Sequence, residues 1–141
     1  MKTYSVKIII LFSLIIFIAS CVRKTCENTN PIFAQMPPED KEYKDELIKQ
    51  FDKIDKEKLK FTLEDYYRVS NRECICVNVQ GEGLCAKIVL EIGKSKKGIE
   101  NILENKGKGY IGAEFKDLKF DIKKDSTETK FVFKEISGIV D

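Results

Sequence analysis

The chain has 141 residues, of which 43% are hydrophobic and 34% are charged, with 25 basic residues, 23 acidic residues and five cysteines. This is the length of one small domain, and its apolar content is sufficient for folding while its charge excludes a multi-span membrane protein. Because the chain contains no histidine, Ser-His-Asp and Cys-His mechanisms and histidine-ligated metal sites are excluded.

The first 20 residues predict a signal peptide. A short basic start carries Lys2 and Lys7. It is followed by an apolar run from Ile8 to Ile18 that is interrupted only by Ser13. The run is too short to span a bilayer and is typical of a secretory signal.

The sequence that ends this segment, Ile18-Ala19-Ser20-Cys21, resembles the lipobox of bacterial lipoproteins, which has an aliphatic residue, two small residues and a cysteine. In that family the cysteine thiol receives a diacylglycerol, the preceding peptide is removed and the new N-terminus is usually acylated. The resemblance covers the signal and one residue of the mature chain. It implies that Cys21 anchors an exported protein to a bacterial membrane. The alternative is an ordinary cleaved signal beside a coincidental cysteine.

Removal of residues 1–20 changes the charge balance. That segment carries two lysines and no acid, so the mature chain has 23 basic and 23 acidic residues. Attraction to nucleic acid needs a basic excess or a basic face, so we expect no nucleic-acid partner. A local basic cluster, between Lys94 and Lys108, is more typical of a solvated helix surface than of a phosphate or lipid-headgroup contact.

Residues 21–38 predict a flexible tether between the anchor and a folded domain. The segment is polar and irregular and contains all three prolines of the chain, which disfavour regular structure. Its apolar exceptions are Ile32, Phe33 and Met36, and these could lie against the domain.

Residues 39–141 predict a single small domain that begins with a helix near residues 39–58. Proline and acidic residues at the start suit a helix N-terminus. An apolar stripe at helical spacing would need to be covered by the rest of the domain. The stripe consists of Tyr43, Leu47, Phe51 and Ile54.

The next segment alternates with a period of two, which predicts strands. The first strand starts at Leu59 and continues through Tyr67 and Val69, with a change in the phase of the apolar–polar alternation. Two further strands are joined by the two-residue loop Glu82-Gly83, which predicts a hairpin with its apolar residues on one side. The predicted pairs are Val79 with Ala86, Val77 with Ile88, and Ile75 with Leu90.

The remaining chain predicts a short helix that contains Ile99 and Ile102, and two more strands, around Phe120 and Phe131, with a bulge near Lys116. The predicted fold is therefore α+β. It has an antiparallel sheet of about five strands, an N-terminal helix packed on one face, and a short helix between the third and fourth strands.

The segment Gly107–Gly112 matches the pattern G-x-G-x-x-G. In a dinucleotide site this pattern follows a strand and opens a helix, whereas here it follows a predicted helix and leads into a strand. We interpret it as a helix C-cap followed by a flexible connection to the sheet, and we expect no small-molecule cofactor.

With Cys21 as the lipid site, an even number of cysteines remains, which in an exported protein suggests disulfides with three possible connectivities. The four are Cys26, Cys74, Cys76 and Cys85. The predicted register places Cys85 opposite Gln80, so a bond from Cys85 to Cys76 would need a distorted hairpin. A bond between Cys26 and the sheet is favoured. Two free thiols on the sheet, or a soft-metal site such as Cu(I) on the C-x-C sequence, are the alternatives.

Three tyrosines, Tyr66, Tyr67 and Tyr110, are candidates for a partner surface, because tyrosine combines contact area with a hydroxyl at low entropic cost. Packing against the sheet is the alternative for them. The expected function is a non-catalytic envelope module that binds another protein, with immunity or inhibitor proteins as an architectural analogy. A structural or assembly lipoprotein and a thiol or carboxylate enzyme are the competing hypotheses.

Overall fold

The computed structural model describes residues 31–140. Its helices are α1 (Pro31–Gln35), α2 (Lys41–Phe51), a 3₁₀ helix (Lys56–Lys58) and α3 (Glu100–Glu104). Its strands are β1 (Lys60–Val69), β2 (Arg72–Gly81), β3 (Leu84–Ile92), β4 (Glu114–Lys116), β5 (Lys119–Lys124), β6 (Thr129–Glu135) and β7 (Gly138–Val140). None of the helices in this range has the length and apolar character needed to cross a membrane.

The α+β class is confirmed, but the sheet is larger than predicted. It has seven strands in the order β5-β6-β3-β2-β1-β4-β7. It is mixed, because β3 and β6 run parallel while the other neighbours run antiparallel. The prediction of about five antiparallel strands is therefore only roughly right. After β3 the chain crosses to the β1 side through α3 and β4 and then returns, and such a crossover produces a parallel pair.

The central hairpin forms in the predicted register, with Val77 opposite Ile88 and Gln80 opposite Cys85. Glu82 and Gly83 have φ values of 52° and 77°. Positive φ at both loop residues is the geometry of a type I′ turn, whose twist matches that of the strands it joins.

Strand β1 contains the predicted change of phase. Its pairing with β2 shifts between Leu63 and Asp65, as at a β-bulge. Beyond the shift, Tyr66 lies opposite Ile75 and Tyr67 opposite Cys74. Since directly paired residues share a face of the sheet, the two tyrosines point to opposite faces.

The N-terminal helix is shorter than the predicted range of 39–58. Asp40 caps α2, because its carboxylate accepts hydrogen bonds from the amides of Glu42 and Tyr43. The helix ends at Phe51, and the carboxylate of Asp55 then accepts a bond from the amide of Glu57 and starts the separate 3₁₀ helix. Aspartate side chains compete for backbone amides in this way at caps and turns.

One apolar cluster forms the core, and α2 contributes Tyr43, Leu47 and Phe51 to it. The sheet is strongly curled, because the rings of Phe120 in β5 and Phe61 in β1 have centroids 6.1 Å apart although three strands separate β5 from β1 in the sheet order. The core therefore lies inside the curve of the sheet.

Helix α1 falls within the segment predicted as a tether and packs against the domain. Phe33 is buried, and its ring meets that of Tyr43 edge-on with a centroid distance of 5.0 Å. Residues 21–30 of the predicted tether lie outside the described residues.

The short helix α3 lies between β3 and β4, as predicted, and buries Ile99 and Ile102. Gly107 follows it with a φ of 73°, and a Cβ at this position would lie 2.8 Å from the Cβ of Tyr66. A glycine is needed here because the turn requires positive φ and the backbone approaches β1 closely.

Candidate functional site

A cavity of about 350 Å³ lies between the start of α2, the β1–β2 hairpin end and the β5–β6 turn. We call it the α2 cleft. Its apolar lining residues include Cys74 on β2, Val89 on β3 and Phe131 on β6. Val69, which is 54% exposed, stands at its edge. The cleft therefore offers apolar contact area within a polar surround.

Two of the carboxylates in the α2 cleft belong to a network of ion pairs. Arg72 lies 3.7 Å from Glu91 and 3.9 Å from Glu128. Lys130 lies 3.8 Å from Glu91 and 3.3 Å from Glu128. These four side chains neutralise one another across the cleft, and the network joins β2 and β3 to β6 and the turn before it.

The helix wall of the α2 cleft carries Lys44, which is only 9% exposed. Its Nζ donates a hydrogen bond to the carbonyl of Thr129 at 2.8 Å. Thr129 itself is 1% exposed, and its hydroxyl oxygen has no hydrogen-bond partner among residues 31–140. The buried side chain of Lys44 thus contacts the backbone of Thr129 on β6, whose own side chain is also buried.

Of the three predicted tyrosines, only Tyr67 lines the α2 cleft. Its hydroxyl donates to the carboxylate of Glu39 at 3.1 Å. Burial and this hydrogen bond raise the pKa of Tyr67 above its usual value, so the hydroxyl remains a donor at neutral pH. Tyr66 and Tyr110 are half-buried and pack against the core. The three tyrosines therefore do not form one surface.

Two of the candidate disulfide cysteines, Cys74 and Cys76, are free thiols. The sulfur of Cys76 donates to the carboxylate of Glu64 at 3.5 Å. Burial and the negative charge of Glu64 raise the pKa of Cys76 to about 12, and burial also raises the pKa of Cys74. Both groups stay protonated at neutral pH, whereas nucleophilic attack and metal ligation use the thiolate.

Of the other three cysteines, only Cys85 lies within the described residues. Cys85 is disulfide-bonded, and its partner does not belong to residues 31–140. The positions of Cys21 and Cys26 lie outside the described residues. Within that range, no group of three or more His, Cys, Asp or Glu side chains is arranged to hold a metal ion.

The basic cluster between Lys94 and Lys108 lies in the loop before α3 and in the turns after it, and its lysines are exposed. Lys96 lies 3.6 Å from Glu73, and Lys97 lies 2.8 Å from Glu135. The paired lysines tie the loop to β2 and β6. The lysines therefore flank a five-residue helix and do not cover a helix face.

Lys44 and Thr129 line the α2 cleft but were not predicted from the sequence. Lys44 lies beside Tyr43 and three residues before Leu47, which is within the apolar stripe of α2. A lysine within this apolar stripe was the feature of the sequence that could have indicated its burial. No such feature marks Thr129, because the β5–β6 pairing that buries it is not visible in the sequence.

Comparisons of this chain with protein-family models, with curated proteins and with solved structures found no match.

Proposed function

We propose that this protein is a bacterial lipoprotein, anchored through Cys21 and exposed to the envelope, whose domain binds another envelope protein without catalysing a reaction. The observation that carries the proposal is the sequence Ile18-Ala19-Ser20-Cys21 directly after an apolar signal. Immunity and inhibitor proteins are the closest functional analogy, since they act by binding alone.

The α2 cleft supports a binding function. Its volume of about 350 Å³ is sufficient for one or two inserted side chains, and both apolar and polar side chains line it. Tyr67 and Arg72 contribute to its walls, and these residue types are enriched among the side chains that dominate binding energies at protein interfaces.

The chemistry of the cleft supports binding in preference to catalysis. The thiol of Cys74 is protonated because burial raises its pKa. Glu91 and Glu128 are each engaged by two cationic side chains. A general acid or base must be able to exchange a proton with a substrate, and such engagement opposes that role.

We further propose that Cys26 is the disulfide partner of Cys85. Cys74 and Cys76 are free, so Cys21 and Cys26 are the remaining cysteines, and Cys21 is assigned to the lipid. Formation of the bond releases two protons and two electrons, which a disulfide of an exported thiol oxidase accepts by exchange.

This bond would orient the domain on the membrane. Four residues separate Cys21 from Cys26, so the anchor lies no more than about 18 Å along the chain from the disulfide. Cys85 stands next to the β2–β3 turn, while Arg72 is at the other end of the ten-residue strand β2. A strand of that length spans roughly 30 Å, so the α2 cleft would face away from the membrane.

The anchor is tested by Cys21→Ser in cells, with Cys76→Ser as the matched cysteine control. We expect Cys21→Ser to abolish incorporation of labelled fatty acid and sedimentation with membranes, while Cys76→Ser keeps both. If Cys21→Ser still sediments with membranes, the proposed anchor is wrong.

Binding is tested by a photo-crosslinking amino acid placed at position 67 in the cleft or at position 123 on the exposed strand β5. We expect a reproducible protein adduct from position 67 and none from position 123. Absence of any reproducible adduct from position 67 would contradict the binding function. A morphology or permeability defect on deletion would then favour an assembly role.

A further inference from the structure

The connection between β3 and β4 carries an excess of positive charge. Residues 93–110 contain five lysines and two glutamates, whereas residues 21–141 as a whole have equal numbers of basic and acidic residues. All five lysines are exposed. They are Lys94, Lys96, Lys97, Lys106 and Lys108. An unbalanced group of exposed cations attracts a negatively charged partner.

The carboxylate of Glu73 brings several of these cations together. It accepts a hydrogen bond from the guanidinium of Arg68 on β1 at 3.0 Å and lies 3.6 Å from Nζ of Lys96. Lys94 lies in the same area, because it comes shortly after Ile92, which pairs with Glu73.

Lys106 and Lys108 reach this area from the turn after α3. Gly107 lies between them, and a Cβ at that position would be 2.8 Å from the Cβ of Tyr66. Since alternate residues of a strand share a face, Tyr66 and Arg68 lie on the same face of β1, and the turn lies beside both. We call five exposed cations the basic surface. They are Arg68, Lys94, Lys96, Lys106 and Lys108.

The carboxylate of Glu73 does not neutralise the basic surface. It carries one negative charge, and both Arg68 and Lys96 lie beside it. Within residues 31–140, no carboxylate forms an ion pair with the other three cations. The basic surface therefore has positive charge available for a partner.

A second lysine-rich segment is balanced by contrast. Residues 53–60 contain four lysines, but two acidic residues lie in the same segment. Carboxylates of other elements hold two of its lysines, since Lys58 lies 3.5 Å from Glu82 and Lys60 lies 3.9 Å from Glu114. This segment therefore has as many carboxylates as lysines and serves as an internal control.

The basic surface lies at the same end of the sheet as the α2 cleft. Arg72 lines the cleft, and Glu73 is the next residue of β2. Neighbouring residues of a strand point to opposite faces, so the cleft and the basic surface flank this end of the sheet. Strand β3 runs from Cys85 to Ile92 over roughly 23 Å. With Cys85 tied close to the lipid, this end would face away from the membrane.

We propose that the basic surface binds an acidic surface of the partner protein that occupies the α2 cleft. This inference rests on the proposed binding function. Lipid headgroups are the less suitable anions, because the proposed disulfide turns this end of the domain away from the membrane. Exposed charges act mainly on the rate of association, since they attract an opposite charge before contact and are screened by salt.

The charge is tested by an NMR titration of the mature lipidated protein, in micelles of an uncharged detergent, with acetyl-hexaglutamate amide. We expect saturable shifts of the amide signals of residues 94–97 and 106–109, and none for residues 53–60. The Kd should be on the order of 1 mM at about 20 mM NaCl. It should rise at least about fivefold at about 300 mM NaCl. The hexaglutamine counterpart should not bind.

The matched variants each remove two exposed lysines. Lys106→Gln with Lys108→Gln should weaken hexaglutamate binding about threefold or more. Lys53→Gln with Lys56→Gln, in the balanced segment, should leave it unchanged. Equal binding of the two peptides, equal shifts in both lysine-rich segments, or equal loss in the two variants would overturn the inference.

The class of partner is tested in cells by a photo-crosslinking amino acid at position 109. Gly109 accepts a side chain, because an added Cβ has no atom within 4 Å. We expect an adduct with the same protein that position 67 captures. An adduct with lipid alone would assign the basic surface to a membrane and overturn the inference. An adduct from position 67 without one from position 109 would also overturn it while leaving the proposed function intact, whereas failure at position 67 would contradict that function itself.

Discussion

The hydroxyl of Tyr43 forms hydrogen bonds with backbone groups at the open edge of strand β3. The variant Tyr43→Phe removes this hydroxyl and tests how much these bonds stabilise the packing of α2 on the sheet. The hydroxyl donates to the carbonyl of Lys87 and accepts from the amide of Lys87, both at 2.8 Å. Strand β3 pairs with β6 only at Leu90 and Glu91, so no strand within the described part of the chain covers Lys87 on that side. Tyr43 takes the place of a neighbouring strand there.

The magnitude follows from these two bonds. The variant leaves the amide and the carbonyl of Lys87 without their partner, and a buried unpaired backbone group costs about 1–3 kcal/mol. Because Lys87 is exposed, water can form hydrogen bonds with these backbone groups in the variant and reduce this cost. We expect a loss of about 2 kcal/mol in the free energy of unfolding, or roughly 8 °C in Tm for a domain of this size. The ring contact with Phe33 is retained.

The assay is urea unfolding of the mature protein, followed by circular dichroism. Tyr67→Phe is the matched control, since it removes an exposed hydrogen bond to Glu39, and we expect it to cost less than about 0.5 kcal/mol. If Tyr43→Phe loses no more stability than Tyr67→Phe, the Tyr43 hydroxyl does not hold α2 against β3.

Three other predictions concern the core, an ion pair and a thiol. Leu47 is fully buried, so Leu47→Ala should lower the free energy of unfolding, measured by urea unfolding, by about 2–5 kcal/mol. A loss below about 1 kcal/mol would contradict the place of Leu47 in the core. Hydrogen bonds from Lys119 and Lys97 lower the pKa of Glu135 to about 2 from the ordinary 4.5. Its stabilising effect is therefore complete above pH 4.5 and is lost as the pH falls toward 2, and carboxyl ¹³C NMR should show an upward pKa shift in Lys119→Met. Burial and Glu64 raise the pKa of Cys76 to about 12, so Glu64→Gln should lower that pKa and speed alkylation of Cys76 by iodoacetamide at pH 8.5, and an unchanged rate would contradict the assigned cause.

The central hairpin could be predicted from the sequence because two local signals agree there. Apolar residues alternate from Ile75 to Val79 and from Leu84 to Leu90, and a two-residue loop with Gly83 fixes the register. The phase change in β1 was also visible, as the step in alternation between Leu63 and Tyr67. Both features depend on residues close together in the chain.

The mixed sheet could not be predicted in the same way. Alternation shows which face of a strand is buried, but it does not show which strand lies beside it. The parallel contact of Leu90 with Phe131 depends on the path of the chain through α3 and β4. Strand β7 has three residues, which is too short to produce a clear period.

The predicted length of the first helix was wrong for a local reason. Ile54 continues the helical spacing and packs against the core, but it does so from the turn after α2. Asp55 starts the 3₁₀ helix by capping it. The candidate site was found only in part: Tyr67 lines the α2 cleft, whereas Lys44 and Thr129 become neighbours only when α2 packs beside β6.

The central claim is that Cys21 carries a lipid, and mass spectrometry of the N-terminal peptide of the mature protein tests it most directly. We predict a chain that begins at Cys21 and carries a diacylglycerol in thioether linkage to its sulfur. A mature chain with an unmodified Cys21, or one that retains residues 1–20, would contradict the account.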